Sequence, residues 1–273
     1  MPELPEVEVC RRNLNRWTGG RTLRDVTLLD PACIRSSAST RPSNGHPDAH
    51  AIAEAWKGHP ATSASRHGKR IGWGFGPHGL VIHLGMTGNW HRSESAPRHA
   101  RIGLHLDGGS LWFTDTRRFG CLWPVPAAAV PEELQRGHGP DALNDPPTAE
   151  QLAGAFQTRS AIKVALLDQQ RLAGIGNIQA AEALWRARIH PAHPSRELGR
   201  PQWERLSKAL VAALQDTIDA EDGDTITYIN DGGHNPFSVY GRSQCPCPRC
   251  QTAIASFKQS GRVTYFCPTC QTS

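Results

Sequence analysis

Cys247-Pro-Arg-Cys250 and Cys267-Pro-Thr-Cys270 lie sixteen residues apart near the end of the chain. Two Cys-x-x-Cys knuckles at that distance offer four thiolates to one tetrahedral ion, and redox-inert zinc accepts four thiolates without strain. Of eight cysteines, four fall in the last 27 residues, all of them in these knuckles, and a fifth, Cys245, lies just ahead. In a chain without a secretory signal, such pairs read as metal ligands rather than disulfides. Cys245 competes with Cys247 for one position, and the two-residue knuckle spacing favours Cys247. Between the knuckles, 254–257 and 262–266 have strand character around Gln259-Ser260-Gly261. The tail is therefore expected to be a β-hairpin zinc finger with Lys258 and Arg262 near its tip. Such a hairpin can set cations on phosphates, and a purely structural staple is the competing reading.

Upstream of the finger the pattern is helical, over 148–156, 161–169, 178–188 and 201–219. Leu172-Ala-Gly-Ile-Gly-Asn-Ile178 enters one of these helices through glycines that permit a tight turn. Backbone N–H groups at such a helix start make an anion site, and Arg159 and Lys163 add positive charge beside it. An ordinary glycine turn with an asparagine cap is the bland alternative. The stretch 222–236 is rich in Gly and Asp and reads as a loop, and 124–131, with its alanines, reads as a hinge.

Further upstream, 21–123 reads as β structure, with short apolar runs such as Leu80-Val-Ile-His-Leu84 broken by Gly, Pro and Asp. Strands 101–106 and 110–115 flank Asp107-Gly108-Gly109, a hairpin signal. Several strands at this spacing predict a sandwich or barrel-like domain. The segment 30–48, rich in Ser, Pro, Thr and Asn, reads as an exposed loop. Ahead of it, Leu4, Val7, Cys10, Leu14 and Trp17 recur at helical spacing until Gly19-Gly20.

The chain opens Met1-Pro2-Glu3, with Glu6 close by. Removal of Met1 leaves Pro2 as a free secondary amine, and an α-amino group titrates near ~7.7–8.0. An unprotonated amine attacks electrophilic carbon, and with a sugar C1′ a secondary amine gives an iminium that is charged without protonation. The plain alternative is that proline merely suits a first helical turn. At 273 residues the chain is long enough for more than one core, and its net charge of +5 with pI ≈ 8.9 suits a polyanion partner. No apolar run reaches transmembrane length and no signal-peptide pattern is present, which predicts a soluble, cytosolic protein.

Six motifs then converge in one order. They are Pro2-Glu-Leu-Pro-Glu-Val-Glu8, His83-Leu-Gly-Met-Thr-Gly88, Thr114-Asp-Thr-Arg-Arg-Phe-Gly120, Ala173-Gly-Ile-Gly-Asn-Ile178, Val239-Tyr-Gly-Arg242 and the finger. Along its whole length the chain resembles the formamidopyrimidine-DNA glycosylase / endonuclease VIII family, the formamidopyrimidine branch most closely. The resemblance implies an α+β fold. An N-terminal helix and β-sandwich catalytic domain (1–126) precede a helix–two-turn–helix domain (131–236) and a zinc finger (239–273). It implies a monomer that flips oxidised bases out of double-stranded DNA, removes them, and nicks the strand by β,δ-elimination. Flipping is needed because C1′ is inaccessible in a stacked duplex.

By the same resemblance, Pro2 is the nucleophile, Glu3 the acid/base for the opening sugar, and Glu6 a second carboxylate shaping the site. Lys69, matched to a lysine on an early strand, serves proton transfer and phosphate contact, and Arg262 serves δ-elimination. Met86, Arg117 and Phe119 fill the void left by the flipped nucleotide, as a wedge with a planar cation can. His99, Arg159, Lys163, Asn177, Tyr240 and Arg242 match or neighbour phosphate-binding positions. Cys247, Cys250, Cys267 and Cys270 hold one structural zinc.

The chain departs from the family at Thr116, where proline is usual, at Gln179, where tyrosine is usual, and at Thr158, where lysine is common. The stretch 222–238 is also shorter than in enzymes specific for 8-oxoguanine. Formamidopyrimidines and oxidised purines are the expected substrates, with oxidised pyrimidines or bulky lesions as the alternative. A non-catalytic lesion-binding protein is the reading from a different class, and an intact Pro2, Glu3, Glu6 and Lys69 argue against it.

Overall fold

The computed structural model describes residues 2–37, 45–221, 223 and 235–272. Its contacts divide the chain into two compact units, Met1–Arg136 with Glu221–Ile226, and Gly137–Ala220 with Thr227–Ser273.

The first unit begins with helix α1 (Leu4–Thr18), capped by Glu3 and ended by Gly19 at φ +30°. Leu4, Val7, Cys10, Leu14 and Trp17 are all buried, so the helical spacing read from sequence is the helix's core face. One four-stranded sheet has the order β1 (Leu23–Leu28), β6 (Ala100–Leu106), β7 (Gly109–Thr114), β5 (Asn89–Arg92). The other has the order β2 (Ser65–His67), β3 (Arg70–Phe75), β4 (His78–His83), β8 (Cys121–Pro126). The strand pairs are antiparallel, and β6 turns into β7 where the Asp-Gly signal predicted a hairpin. Trp73 of β3 meets Trp90 of β5 edge-on at 5.7 Å between ring centroids, joining one sheet to the other across the buried layer.

Two expectations need correction. The stretch 30–48 is not simply an exposed loop. Pro31–Cys33 forms a 3-10 turn, and Cys33, Ile34 and Arg35 are buried, while 38–44 lie outside the described residues. A helix, α2 (Ala49–Ala55), follows where only strands were expected. Nor is 124–131 a hinge. Strand β8 runs to Pro126, and α3 (Val130–Gln135) lays Val130 and Leu134 on the sheet. Both glycines beneath it are needed, since a Cβ at Gly72 or Gly79 would come within 2.4 Å of a Val130 methyl. One i,i+4 apolar pair is too short a pattern to announce such a helix.

The second unit holds α4 (Ala149–Ala155), α5 (Ile162–Leu166), α6 (Asn177–Ala187) and α7 (Arg200–Glu221). Helix α4 starts at Thr148 with a capping box to Gln151. Helix α5 is shorter than the 161–169 expected, ending as Leu166 gives way to a turn. The finger hairpin pairs β9 (Ala255–Gln259) with β10 (Arg262–Phe266) around Ser260-Gly261, both at positive φ. It sits on α6: the Arg249 guanidinium stacks 3.8 Å above the Trp185 ring, and Gln271 donates to the Ile189 carbonyl at 2.9 Å. The loop read at 222–236 lies mostly outside the described residues.

Candidate active site and nucleic-acid interface

In the first unit, Pro2 is buried at the head of α1, ahead of Glu3 and Glu6, which are 1% and 5% exposed. The Glu3 backbone N–H donates to Glu6 Oε2 at 2.8 Å, one arm of a capping box. Burial, with the Glu3 charge adding to it, pushes the Glu6 carboxyl up to about 7. An acid that titrates near neutrality, beside a second carboxylate, can hold or release a proton under working conditions.

Sequence reading passed over Glu8, which organises the same helix. Its carboxylate meets Arg11 at 2.7 Å, Arg12 at 3.0 Å and the buried Arg66 at 3.0 Å. Burial alone would raise this carboxyl, but the hydrogen bonds and charge of Arg11, with Arg66 and Arg12, hold it below the usual carboxylate range. Arg66 also donates to the Gly68 carbonyl at 3.1 Å, inside the turn that carries Lys69. Lys69 is therefore not on a strand, as the resemblance implied, but in the two-residue turn between β2 and β3, half-buried. The i,i+3 and i,i+4 spacing of Glu8 to Arg11 and Arg12 was visible in sequence, whereas the tie to Arg66 spans 58 residues.

Met86 is half-buried in the turn between β4 and β5. Arg117 and Phe119 lie in the exposed loop before β8, with the guanidinium 5.1 Å from the Phe119 ring centroid and Phe119 45% exposed. A single exposed aromatic is ordinary on a protein surface; what this loop adds is a guanidinium held against the ring, which pairs an apolar face with a planar cation. His99 is exposed in the turn before β6 at φ +64°.

In the second unit, Asn177 opens α6 and donates to the Val263 carbonyl at 3.1 Å. Lys163, expected at or beside a phosphate-binding position, is turned inward. It is 1% exposed, and its Nζ donates to Asn177 Oδ1 at 2.6 Å and to Thr264 Oγ1 at 2.7 Å. The ammonium joins α5, the start of α6 and the finger hairpin, and it orients Asn177 rather than reaching into solvent. Arg159 is exposed. Arg262 is exposed at the first residue of β10, with no salt-bridge partner among the described residues. Tyr240 and Arg242 are half-buried in the segment before the finger. That segment is gripped by Glu182, another residue the sequence reading missed, whose carboxylate accepts from the N–H groups of Ser238, Val239 and Tyr240 at 2.9–3.0 Å.

The Sγ atoms of Cys247, Cys250, Cys267 and Cys270 all lie within 4.8 Å of one another, and Cys245 stands outside the cluster, exposed. Sulfur separations of 3.4, 3.5 and 4.0 Å fit a tetrahedral ion with Zn–S bonds of about 2.3 Å. The four thiolates hold one structural zinc.

A β-sandwich headed by a buried Pro-Glu pair, a helical unit with a polar helix start and a four-thiolate finger make up the build of a zinc-finger DNA glycosylase. Residues 1–122 match the formamidopyrimidine-DNA glycosylase N-terminal domain, 138–229 that enzyme's H2TH domain, and 246–272 the zinc finger found in FPG and IleRS. The formamidopyrimidine-DNA glycosylase of Thermus thermophilus is 38% identical over 285 residues, covering 99% of this chain and 98% of the relative. That of Cytobacillus firmus is 34% identical over 282 residues, covering 99% and 100%. Among solved structures, Lactococcus lactis Fpg bound to abasic-site DNA superposes with a TM-score of 0.86 at 29% identity, all of both chains being covered. The chain belongs to the formamidopyrimidine-DNA glycosylase family.

Proposed function

We infer that this protein is a base-excision-repair DNA glycosylase and AP lyase that removes oxidised bases from double-stranded DNA, working as a monomer through Pro2. The observation that carries the reading is Pro2 at the head of α1 beside two buried carboxylates, one of them titrating near 7. A purely binding protein has no use for that arrangement.

The chemistry follows from the groups. With Met1 removed, the Pro2 nitrogen attacks C1′ of a flipped nucleotide. The N–C1′ bond forms as the glycosidic bond breaks, and the base departs with that electron pair and the proton that the Pro2 amine gives up. Glu3 protonates the ring oxygen so that the sugar opens to the iminium, with Glu6 holding the proton balance beside it. Loss of a C2′ proton then expels the 3′ phosphate, with Lys69 near that phosphate. Arg262 pairs with the phosphate that leaves in the second elimination, as a planar guanidinium does well. Met86, Arg117 and Phe119 fill the void in the stack, and His99, Arg159, Asn177, Tyr240 and Arg242 contact the backbone, with Lys163 holding Asn177. These roles assign catalysis to 1–126, the helix–two-turn–helix platform to 131–236 and the finger to 239–273. No helix among the described residues is long and apolar enough to cross a membrane. The bacterial relatives and a DNA substrate favour the cytosol as the location.

Formamidopyrimidines and oxidised purines are the assigned substrates. Relatives solved with an 8-oxoguanine analogue and with FAPY-dG favour this class, and a Lactococcus lactis Fpg complex with an oxidised pyrimidine supports the wider range as the second reading. The test is borohydride trapping on abasic-site duplex with protein shown by mass to lack Met1, followed by duplexes that each carry one defined lesion. A covalent adduct lost in Pro2→Gly supports the mechanism, and undiminished trapping in that variant sinks it.

A further inference from the structure

Asp115 has a place in the fold that the reaction scheme does not use. It is 1% exposed, at the point where β7 gives way to the loop 115–120. Its Oδ1 accepts from the Thr87 hydroxyl and from the Arg117 backbone N–H at 3.2 Å, and its Oδ2 accepts from the Gly120 N–H at 2.6 Å. Thr87 follows Met86 in the turn between β4 and β5, and its hydroxyl also accepts from the Arg117 N–H at 3.1 Å. One buried carboxylate therefore grips both turns that carry Met86, Arg117 and Phe119.

The rest of the loop is pinned to match. Arg101 donates twice to the Asp115 carbonyl, at 2.6 and 2.9 Å, and the Asp115 N–H donates to the His99 carbonyl at 3.1 Å. Buried Arg35 donates to the carbonyls of Arg118 and Gly120 at 2.8 and 3.0 Å. The two turns also touch backbone to backbone: a Cβ at Gly85, which sits at φ +67°, would come within 2.4 Å of the Gly120 nitrogen. Yet residues 116–119 at the crest of the loop are all exposed. A loop with an exposed aromatic crest and no regular structure would ordinarily lose conformational freedom on binding. Here the freedom is already removed, which lowers the cost of inserting the crest into DNA.

We propose that Asp115 is a positioning residue that locks the Met86 turn and the Arg117–Phe119 loop into one preformed wedge, so that the free enzyme already presents the void-filling shape. This rests on the reading of Met86, Arg117 and Phe119 as the void-filling set. Asp115 touches neither base nor sugar and acts only through that wedge.

The test compares single-turnover base release from a formamidopyrimidine-containing duplex with borohydride trapping on single-stranded abasic DNA, where no void opens. The zinc-loaded full chain is used throughout, with its thermal transition checked. Asp115→Asn turns one of its two acceptors into a donor facing Gly120 N–H. It is expected to lower the duplex-to-single-strand ratio about tenfold, the scale of one lost charged hydrogen bond. Thr87→Val, which removes one donor and is the gentler change, is expected to lower the ratio about threefold. Phe119→Ala lowers the same ratio directly, and the Phe119→Ala/Asp115→Asn pair is expected to be no worse than Phe119→Ala alone, because both act through one element. If Phe119→Ala lowers the ratio while Asp115→Asn and Thr87→Val leave it unchanged, the wedge reading stands and this proposal is overturned. If Phe119→Ala itself leaves the ratio unchanged, the wedge reading fails and takes the proposal with it. Fully additive losses in the double variant, or equal losses on both DNAs, also overturn it. Should Asp115→Asn not fold, Thr87→Val decides by the same ratio.

Discussion

The Glu3 backbone N–H donates to Glu6 Oε2 with 2.8 Å between nitrogen and oxygen, so the helix start that carries Pro2 is closed by one of its own two acids. The bond serves two ends. It satisfies a backbone donor that the helix leaves unpaired, and it fixes the second carboxylate beside the first. The electrostatic consequence is the raised titration of Glu6.

That shift sets a pH dependence. Between the ordinary value of 4.5 and about 7, the folded chain holds a Glu6 proton that the unfolded chain has lost. Stability from this group is therefore complete below 4.5, falls as pH rises, and is gone above about 7, a change on the order of 3 kcal/mol at most. Glu6→Gln keeps an oxygen for the Glu3 N–H and removes the titration. Urea midpoints measured from pH 4.5 to 8 should show the variant gaining on the wild type as pH rises.

The Glu8–Arg66 pair predicts a larger loss. Glu8→Gln strands a buried guanidinium opposite a neutral amide, which costs about 3–5 kcal/mol in buried pairs. Because Arg66 also holds the Gly68 carbonyl, strand cleavage at a preformed abasic site should fall together with the denaturation midpoint. Arg12→Ala, which removes the more exposed partner, should cost less than about 1 kcal/mol.

Lys163 and Arg262 should separate in a salt titration. Arg262→Gln removes an exposed cation and should reduce the slope of log affinity against log salt by about one. Lys163→Met keeps a buried side chain of similar length but releases Asn177, so affinity should fall about tenfold with the slope unchanged. A reduced slope in Lys163→Met would return that residue to the phosphate-contacting role that the resemblance implied.

Zinc removal should act on the finger. Metal analysis should give one zinc per chain, and a chelator should abolish DNA binding while the first unit keeps its near-ultraviolet signal from Trp73 and Trp90. Cys250→Ser should lose the metal, whereas Cys245→Ser should retain it with stability changed by less than about 0.5 kcal/mol.

Much of this was legible in the linear chain because it depends on spacing. The core face of α1, the Asp107-Gly108 hairpin, the start of α6 at Asn177 and the choice of Cys247 over Cys245 each follow from a period or a fixed gap. Helix α3 was not legible, since Val130 and Leu134 have meaning only above Gly72 and Gly79 of distant strands. Nor was the burial of Lys163, because its acceptor Thr264 lies 101 residues away.

By itself the sequence determined the chemistry available: a proline amine, paired acids, four thiolates at knuckle spacing, and an aromatic-cation loop. Those features are local, and local covalent spacing survives in any conformation. Only the tertiary structure decided how the groups are held. It buried Glu6 until its proton stays on near neutrality, spent the Lys163 ammonium on Asn177, set Lys69 in a turn, and placed one carboxylate, Asp115, under two loops. Desolvation and long-range hydrogen bonding exist only once distant segments exclude water from one another, so no reading of neighbours along the chain contains them.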